Sequence, residues 1–303
     1  MYKNIRAAVV GSINMDIVLN MKKVPDVGDN VLGTDYRYAC GGKGANQAIA
    51  LSRLGASVRM IGKVADDANG KKLVDNLISN GIDASGVSVD GTQTGLAAII
   101  VDGDGKNRII VYEGANAEID ADKACEEIRD IDLLMVQFET AEDVVVNSIN
   151  TAVKKGITTV IDCGPAKDFN LEAMQGATVI TPNESETQML TGVYPDSEEN
   201  IEKASRILYD RSRAKYVVLK LGDRGCSIFD GKEITILPSY PAKVVDTTAA
   251  GDCFTAAMAL ELVRSGDIYK ASDMGNRAGG IAVSRMGADV SMPTFKELSE
   301  FNG

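Results

Sequence analysis

From position 133 onward, short apolar and β-branched runs alternate with helical periods, and this rhythm limits the fold more than any other feature. The runs lie at 133–138, 158–161, 177–180 and 216–220, with helical patterning between them, for example over 199–210. Strands separated by helices rejoin one sheet through crossovers, which gives parallel neighbours covered on both faces. The expectation is therefore one α/β domain over 1–303, a doubly wound and mostly parallel sheet with helices on both faces. In such sheets ligands bind beyond the carboxyl ends of the strands. Glu139, Asp162, Asn183, Gly222 and Asp252 are all read as standing at such ends, so the rim they share is the expected site.

The stretch around Asp252 carries the most chemistry. Val244-Val245-Asp246 reads as a strand end, Thr247-Thr248-Ala249-Ala250-Gly251 as a small-residue turn, and Phe254, Met258 and Leu262 recur at helical spacing. The first amides of a helix have no intrahelical partner and sit at the positive end of its dipole. Ala249, Ala250 and Gly251 carry little side chain, so an anion can approach those N–H groups. Asp252 falls in the same first turn. Amides that receive developing charge, beside a carboxylate that accepts a proton, suit phosphoryl transfer to a hydroxyl. The plainer alternative is a structural helix cap with a first-turn acid.

The N-terminal half supplies a second cluster. An apolar run over 5–10 ends at Gly11-Ser12-Ile13-Asn14-Met15-Asp16. Asn14 and Asp16 alternate with apolar residues and so share one face of an extended segment; an ordinary solvated strand face would look the same. Cys40-Gly41-Gly42-Lys43-Gly44-Ala45-Asn46-Gln47 is a glycine-rich turn entering a helix, but neither a Walker A loop nor a dinucleotide fingerprint. Lys43 and Asn46 offer donors for a polyhydroxy ligand. The runs at 58–61 and 71–80 suggest a further β-α unit. Segments 97–101 and 108–112 read as a hairpin around Asp102-Gly103-Asp104-Gly105-Lys106-Asn107. With 17–21 and 31–38 they lack intervening helices and are taken as a separate small sheet, a lid built from about 14–40 and 94–113. Asn183 and Glu186 share a helix face and suit metal-bound waters, although such pairs more often cap helices. Gly222 and Gly225 either cover a nucleotide or shape a tight turn.

Composition narrows the chemistry. There is no histidine, which removes Ser-His-Asp and Cys-His schemes and histidine metal sites, and leaves base catalysis mainly to carboxylates. The net charge of −11 argues against nucleic acid or an anionic membrane as partner. Five scattered cysteines without a C-x-x-C pair fit reduced thiols, and Met1 to Val10 reaches Gly11 too soon for a signal-peptide core. No run is long enough to span a bilayer. A cytoplasmic protein is expected.

Four motifs together resemble the PfkB-type carbohydrate kinases. They are Gly11-Ser12-Ile13-Asn14-Met15-Asp16, Gly41-Gly42-Lys43-Gly44-Ala45-Asn46-Gln47-Ala48, Thr181-Pro182-Asn183-Glu184-Ser185-Glu186 and Asp246-Thr247-Thr248-Ala249-Ala250-Gly251-Asp252. Their order and spacing match over essentially the whole chain, and the double glycine with Lys43 and Asn46 points to the ribokinase branch. The resemblance implies transfer of the γ-phosphate of ATP to the 5-hydroxyl of D-ribose, and a homodimer clasped through the lid sheet. It implies Asp252 as base, Ala249, Ala250 and Gly251 as anion hole, and Asn14, Asp16, Gly42, Lys43, Asn46 and Glu139 as sugar-holding residues. It assigns Asn183 and Glu186 to Mg²⁺ and phosphate, and Lys220, Gly222, Gly225 and Asn276 to the nucleotide. Asp246, Thr248, Ala282, Arg285, Gly287 and Ser291 match an activating K⁺ site, largely through carbonyls. Two departures stand out: Ala249 replaces a common glycine, and Asp162-Cys163-Gly164-Pro165-Ala166 differs from the usual Asn-Pro-Ala pattern, leaving that rim segment without a role. The alternative acceptor is another sugar or a nucleoside. A sugar sensor is disfavoured by the intact Asp252, and a dehydrogenase by the missing dinucleotide fingerprint.

Overall fold

The computed structural model describes residues 5–301; Met1 to Asn4, on which part of the signal-peptide reading falls, lie outside them. The strands are β1 (Arg6–Val10), β2 (Asn14–Met21), β3 (Gly33–Gly41), β4 (Ser57–Ala65), β5 (Asp83–Gly91), β6 (Gly95–Val101), β7 (Asn107–Tyr112), β8 (Leu133–Gln137), β9 (Thr158–Asp162), β10 (Val179–Thr181), β11 (Tyr216–Lys220), β12 (Cys226–Phe229) and β13 (Ile234–Leu237). The helices are α1 (Lys43–Arg53), α2 (Ala68–Ser79), α3 (Ala121–Glu127), α4 (Glu142–Lys154), α5 (Glu184–Thr191), α6 (Glu198–Ser212), α7 (Ala250–Ser265), α8 (Ile268–Val283) and α9 (Phe295–Glu300).

Nine strands form the main sheet in the order β13-β12-β11-β10-β9-β8-β1-β4-β5. Neighbours are parallel from β11 through β5, and the antiparallel pairings, β11 with β12 and β12 with β13, lie at one edge, so that β12 alone is reversed. The chain winds outward from β1 to β4 and β5, then returns and winds the other way from β8. The switch point therefore lies between β1 and β8, where a ligand crevice opens in such sheets. Alternation along the strands divides the core in two. Ala7, Val9, Leu133, Met135 and Val160 pack against α1, α2, α7 and α8, while Ala8, Val10, Leu134, Val136 and Ile161 pack against α3, α4 and α6. α7 is wrapped in this core: Cys253, Phe254, Ala256, Ala257, Met258, Ala259, Leu260 and Leu262 are all buried, as a helix apolar on every face must be.

The second sheet has the order β3-β2-β6-β7. β2 pairs antiparallel with β3 and parallel with β6, and β6 pairs antiparallel with β7. Its outer strands leave Tyr36, Tyr38, Ile109, Ile110 and Tyr112 exposed.

One expectation fails. Residues 244–246 are not a strand: Val244 and Val245 are exposed, and Val245 N–H donates to the Val283 carbonyl at 2.7 Å instead of to a sheet neighbour. Asp252 thus reaches the rim on a helix fed by an irregular loop, not by a strand end. The apolar valine pair misleads because the loop leans on the end of α8. Strands β5, β12 and β13 go beyond the sequence reading: β5 is interrupted by glycine and polar residues, and β12 and β13 are four residues each.

Candidate active site

A cleft of about 720 Å³ opens at the switch point. Asn14 and Asp16 project into it from β2, Gly42, Lys43 and Asn46 from the start of α1, Glu139 from just beyond β8, and Ala249, Gly251 and Asp252 from the start of α7. Ala97, Ile99 and Ile109 of the small sheet lie across its mouth. A second cleft of about 520 Å³ is lined by Gly222, Gly225, Tyr240, Ala250, Phe254 and Asn276, among others. Lys220, Gly222, Thr247 and Gly251 border both cavities. The N-terminus of α7 is the partition between them.

That terminus is shaped for an anion. Ala249, at the N-cap, adopts a left-handed conformation (φ 59°), at a cost of about 1 kcal/mol to a residue with a Cβ. A Cβ placed on Gly251 would meet only the Lys220 Nζ, at 3.8 Å. The space beside this amide is open to a ligand, with an ammonium on its flank.

Asp252 is 4 % exposed and held from several sides. Asn46 Nδ2 donates to its Oδ2 at 3.0 Å, Gln47 Nε2 to its Oδ1 at 3.1 Å, and Lys43 Nζ lies 3.6 Å from Oδ1. Lys43 extends along the floor of the cleft. Burial works against its charge, yet Asp162, Asp252, Glu186 and Glu139 together hold its ammonium well above the usual lysine range. Glu139 accepts from the Ser12 hydroxyl and from the Lys43 amide, the latter at 3.0 Å, which anchors the start of α1. Burial, with Glu139 and Asp252 adding like charge, pushes the Asp16 carboxyl up to about 7.

Asn183 and Glu186 form a capping box on α5. Glu186 N–H donates to Asn183 Oδ1 at 2.9 Å, and Asn183 N–H donates to Glu186 Oε2 at 2.7 Å. The capping reading is thus observed; Asn183 also lines the cleft, while Glu186 is buried behind it. Gly222 opens a single 3₁₀ turn that closes the β11–β12 hairpin, and it and Gly225 also line the second cleft. Asn276 spends its amide donor on the Pro238 carbonyl (3.1 Å) and the Cys226 thiol (3.5 Å). The Asp246 group gathers elsewhere: Gly287 N–H donates to Asp246 Oδ2 at 2.9 Å, and the Thr248 hydroxyl donates to Oδ1 at 2.6 Å.

Several residues for which the sequence suggested no task are built into the site. Asn116, in the 3₁₀ turn Gly114–Glu118 after β7, donates to Asn14 Oδ1 at 2.7 Å, so the Asn14 amide nitrogen is the atom left to face the cleft. Asp162, at the end of β9, is fully buried and accepts from Lys220 Nζ at 3.0 Å, Gln47 Nε2 at 2.9 Å, Thr255 Oγ1 at 3.2 Å and Gly164 N–H at 3.2 Å. The rim segment that departs from the usual pattern thus has a role. Gly164 is needed there because a Cβ would fall 2.5 Å from Lys43 Cε and 2.6 Å from Glu186 Oε1. The fully buried Ser12, Gln47 and Gln137 complete the floor. Asp162 was legible as a polar residue closing an apolar run, and Ser12, Gln47 and Gly164 lie inside quoted motifs without a role of their own, while Asn116 and Gln137 left no signal.

The pfkB family carbohydrate kinase pattern matches residues 4–295. Ribokinase of Bacillus subtilis (strain 168) is 38% identical over 296 residues, covering 96% of this chain and 97% of that one. A deoxyribokinase of Salmonella typhi is 30% identical over 299 residues, with 97% of each chain covered. The structure of Arabidopsis thaliana ribokinase complexed with ribose and ATP superposes with a TM-score of 0.90 at 30% identity, over 99% of this chain and 100% of that one.

Proposed function

Because this chain belongs to the pfkB family of carbohydrate kinases, we propose that it transfers the γ-phosphate of ATP to the 5-hydroxyl of D-ribose, giving ADP and ribose 5-phosphate. The observation that carries the reading is the meeting of two clefts at the N-terminus of α7, where Gly251 borders both and the buried Asp252 beside it lines the first. Asn14, Asp16, Gly42, Lys43, Asn46 and Glu139 hold the sugar. Lys220, Gly222, Gly225 and Asn276 face the nucleotide. Asp252 takes the proton of the attacking hydroxyl, and the amides of residues 249–251 with the dipole of α7 receive the negative charge that builds on the phosphoryl oxygens. The mostly apolar lid strands over the cleft limit access of water, which would otherwise compete as acceptor.

Mg²⁺ and K⁺ belong to the same reading. Among the described residues no group of three or more Asp, Glu or Cys side chains is set to hold a metal. That suits a magnesium held chiefly by phosphates and waters, with Glu186 and Asn183 ordering those waters. Bound Mg²⁺ neutralises charge on the phosphates. Partial burial would raise the Asp246 carboxyl, but hydrogen bonds from Thr248 and Gly287 hold it below the usual range. Asp246 carries bonds from Thr248 and Gly287, and a low-lying carboxylate with the carbonyl oxygens of Ala282, Arg285, Gly287 and Ser291 would make a hard oxygen set of the kind K⁺ takes. No described helix is long and apolar enough to cross a membrane. With five free cysteines, the reading places the enzyme in the cytoplasm.

A coupled ADP-release assay over a sugar and nucleoside panel, with Mg²⁺ and K⁺ present, tests the substrate. Ribose should give the highest kcat/KM; a deoxyribose, suggested by the name of the Salmonella relative, is the competitor, and absence of ribose-dependent turnover sinks the reading. Asp16 adds a pH signature. Its ionised form accepts hydrogen bonds from neighbouring sugar hydroxyls, and with a pKa of about 7 it is mostly protonated at pH 6. The ribose KM should therefore rise about tenfold from pH 8 to pH 6, with kcat changing less, and a flat KM counts against this role. In the free protein the sign is opposite: a raised carboxyl pKa favours the folded state as pH falls from 7 towards 4.

We also propose that the chain is a homodimer joined through its small sheet, whose outer strands expose Tyr36, Tyr38, Ile109, Ile110 and Tyr112. Light scattering should give twice the 32.1 kDa chain mass, and Ile110→Lys should give the single mass. A wild-type monomer at assay concentration excludes the clasp.

A further inference from the structure

Gln47 is not among the residues that face the sugar or the nucleotide, yet every polar atom of its side chain is engaged beneath them. It is fully buried in the second turn of α1. Its amide nitrogen has two hydrogens and two carboxylate partners: Asp252 Oδ1 at 3.1 Å and Asp162 Oδ2 at 2.9 Å. Its oxygen accepts from Gln137 Nε2 at 2.6 Å. The amide cannot be reversed, because reversal would set its oxygen against both carboxylates.

Asp252 Oδ1 has one other close partner, Lys43 Nζ at 3.6 Å, beyond good hydrogen-bond length. Without Gln47, the Asp252 carboxylate and the Lys43 ammonium would close on each other in this poorly solvated floor. The carboxylate would then turn away from the acceptor hydroxyl, and a tighter ion pair would make it a weaker base. Asn46, bonded to Oδ2, does not prevent rotation about the other oxygen.

We propose that Gln47 is a positioning residue for phosphoryl transfer, an amide strut that holds Asp252 off Lys43 and fixes it to the Asp162–Lys220 pair. This rests on the proposed kinase function, with Asp252 as base. Gln47 touches neither substrate, so its removal should act on kcat rather than on sugar binding. A displacement of about 1 Å at the reacting group costs up to about 10²-fold in rate.

The test is a double-mutant cycle on the purified full chain with ATP and ribose. Gln47→Met keeps length without donors, and Gln47→Glu keeps shape while adding a third acidic group. Each should lower kcat by about 30–100-fold, with ribose KM moving less than about threefold, and neither should lower the residual kcat of Asp252→Asn further. An unchanged kcat, a KM rising as far as kcat falls, or an equal further loss in the Asp252→Asn background would overturn the strut. If the Gln47 variants do not fold by circular dichroism, Gln137→Met, which frees the Gln47 oxygen, should give the same pattern at smaller size, and a wild-type kcat in that variant overturns the proposal. Failure of the wild type to phosphorylate any sugar would instead remove the kinase reading.

Discussion

Asp252→Asn is expected to lower kcat for ribose phosphorylation by about 10³-fold or more, a barrier increase of roughly 4 kcal/mol, while the ribose dissociation constant changes less than about threefold. The substitution keeps the volume of a side chain that is 4 % exposed and removes its ability to accept a proton. An asparagine must also turn its NH₂ towards either Asn46 Nδ2 or Gln47 Nε2, each now donating to a carboxylate oxygen, so one of those contacts becomes a clash of donors. Ground-state sugar binding survives because Asn14, Asp16 and Glu139 are untouched. Steady-state kinetics with calorimetric ribose titration separates the two effects. Retention of kcat within tenfold would mean that another group takes the proton.

The second large effect falls on stability. Asp162→Ala is expected to destabilise the fold by about 3 kcal/mol or more, lowering Tm by roughly 5–10 °C. The carboxylate is fully buried, and its loss strands Lys220, whose side chain is only 10% exposed, with the Lys43 ammonium close by. Burial alone would raise the Asp162 carboxyl, but Lys220 and Lys43 hold it below the usual range. A depressed carboxyl stabilises the fold above its unfolded pKa and loses that contribution as pH falls through the folded value. The Tm gap between wild type and variant should therefore be full at neutral pH and shrink below about pH 4. Scanning calorimetry across that range checks both points; a variant within 2 °C of wild type at pH 7 would show that the remaining carboxylates, Glu186, Asp252 and Glu139, satisfy the two lysines. Asp162→Asn, which keeps an oxygen for Lys220 and the Gly164 amide, should cost less.

How far the sequence reaches is visible in these two residues. Asp252 was legible because the turn before it is written in small residues and the helix after it in an apolar period. The strands with their polar end-points at Glu139, Asp162, Asn183 and Gly222 were legible because buried parallel strands need continuous apolar runs, and those runs stop where the rim begins. What Asp162 does there was not. Its partners Gln47, Lys220 and Thr255 come from α1, β11 and α7, and no local spacing encodes a meeting of three distant elements. Asn116 was hidden for the same reason: its use lies 102 residues away, at Asn14. Val244 and Val245 erred in the opposite direction, since β-branched residues favour extended backbone whether or not a strand neighbour is present.

The most direct test is a crystal structure of the chain with ribose, Mg²⁺ and a non-hydrolysable ATP analogue. The account predicts the sugar 5-hydroxyl within hydrogen-bond reach of the Asp252 carboxylate and the terminal phosphate against the amides that open α7, with the adenosine in the cleft beside Asn276. A nucleotide bound away from residues 249–252, or a ribose whose 5-hydroxyl faces away from Asp252, would contradict it.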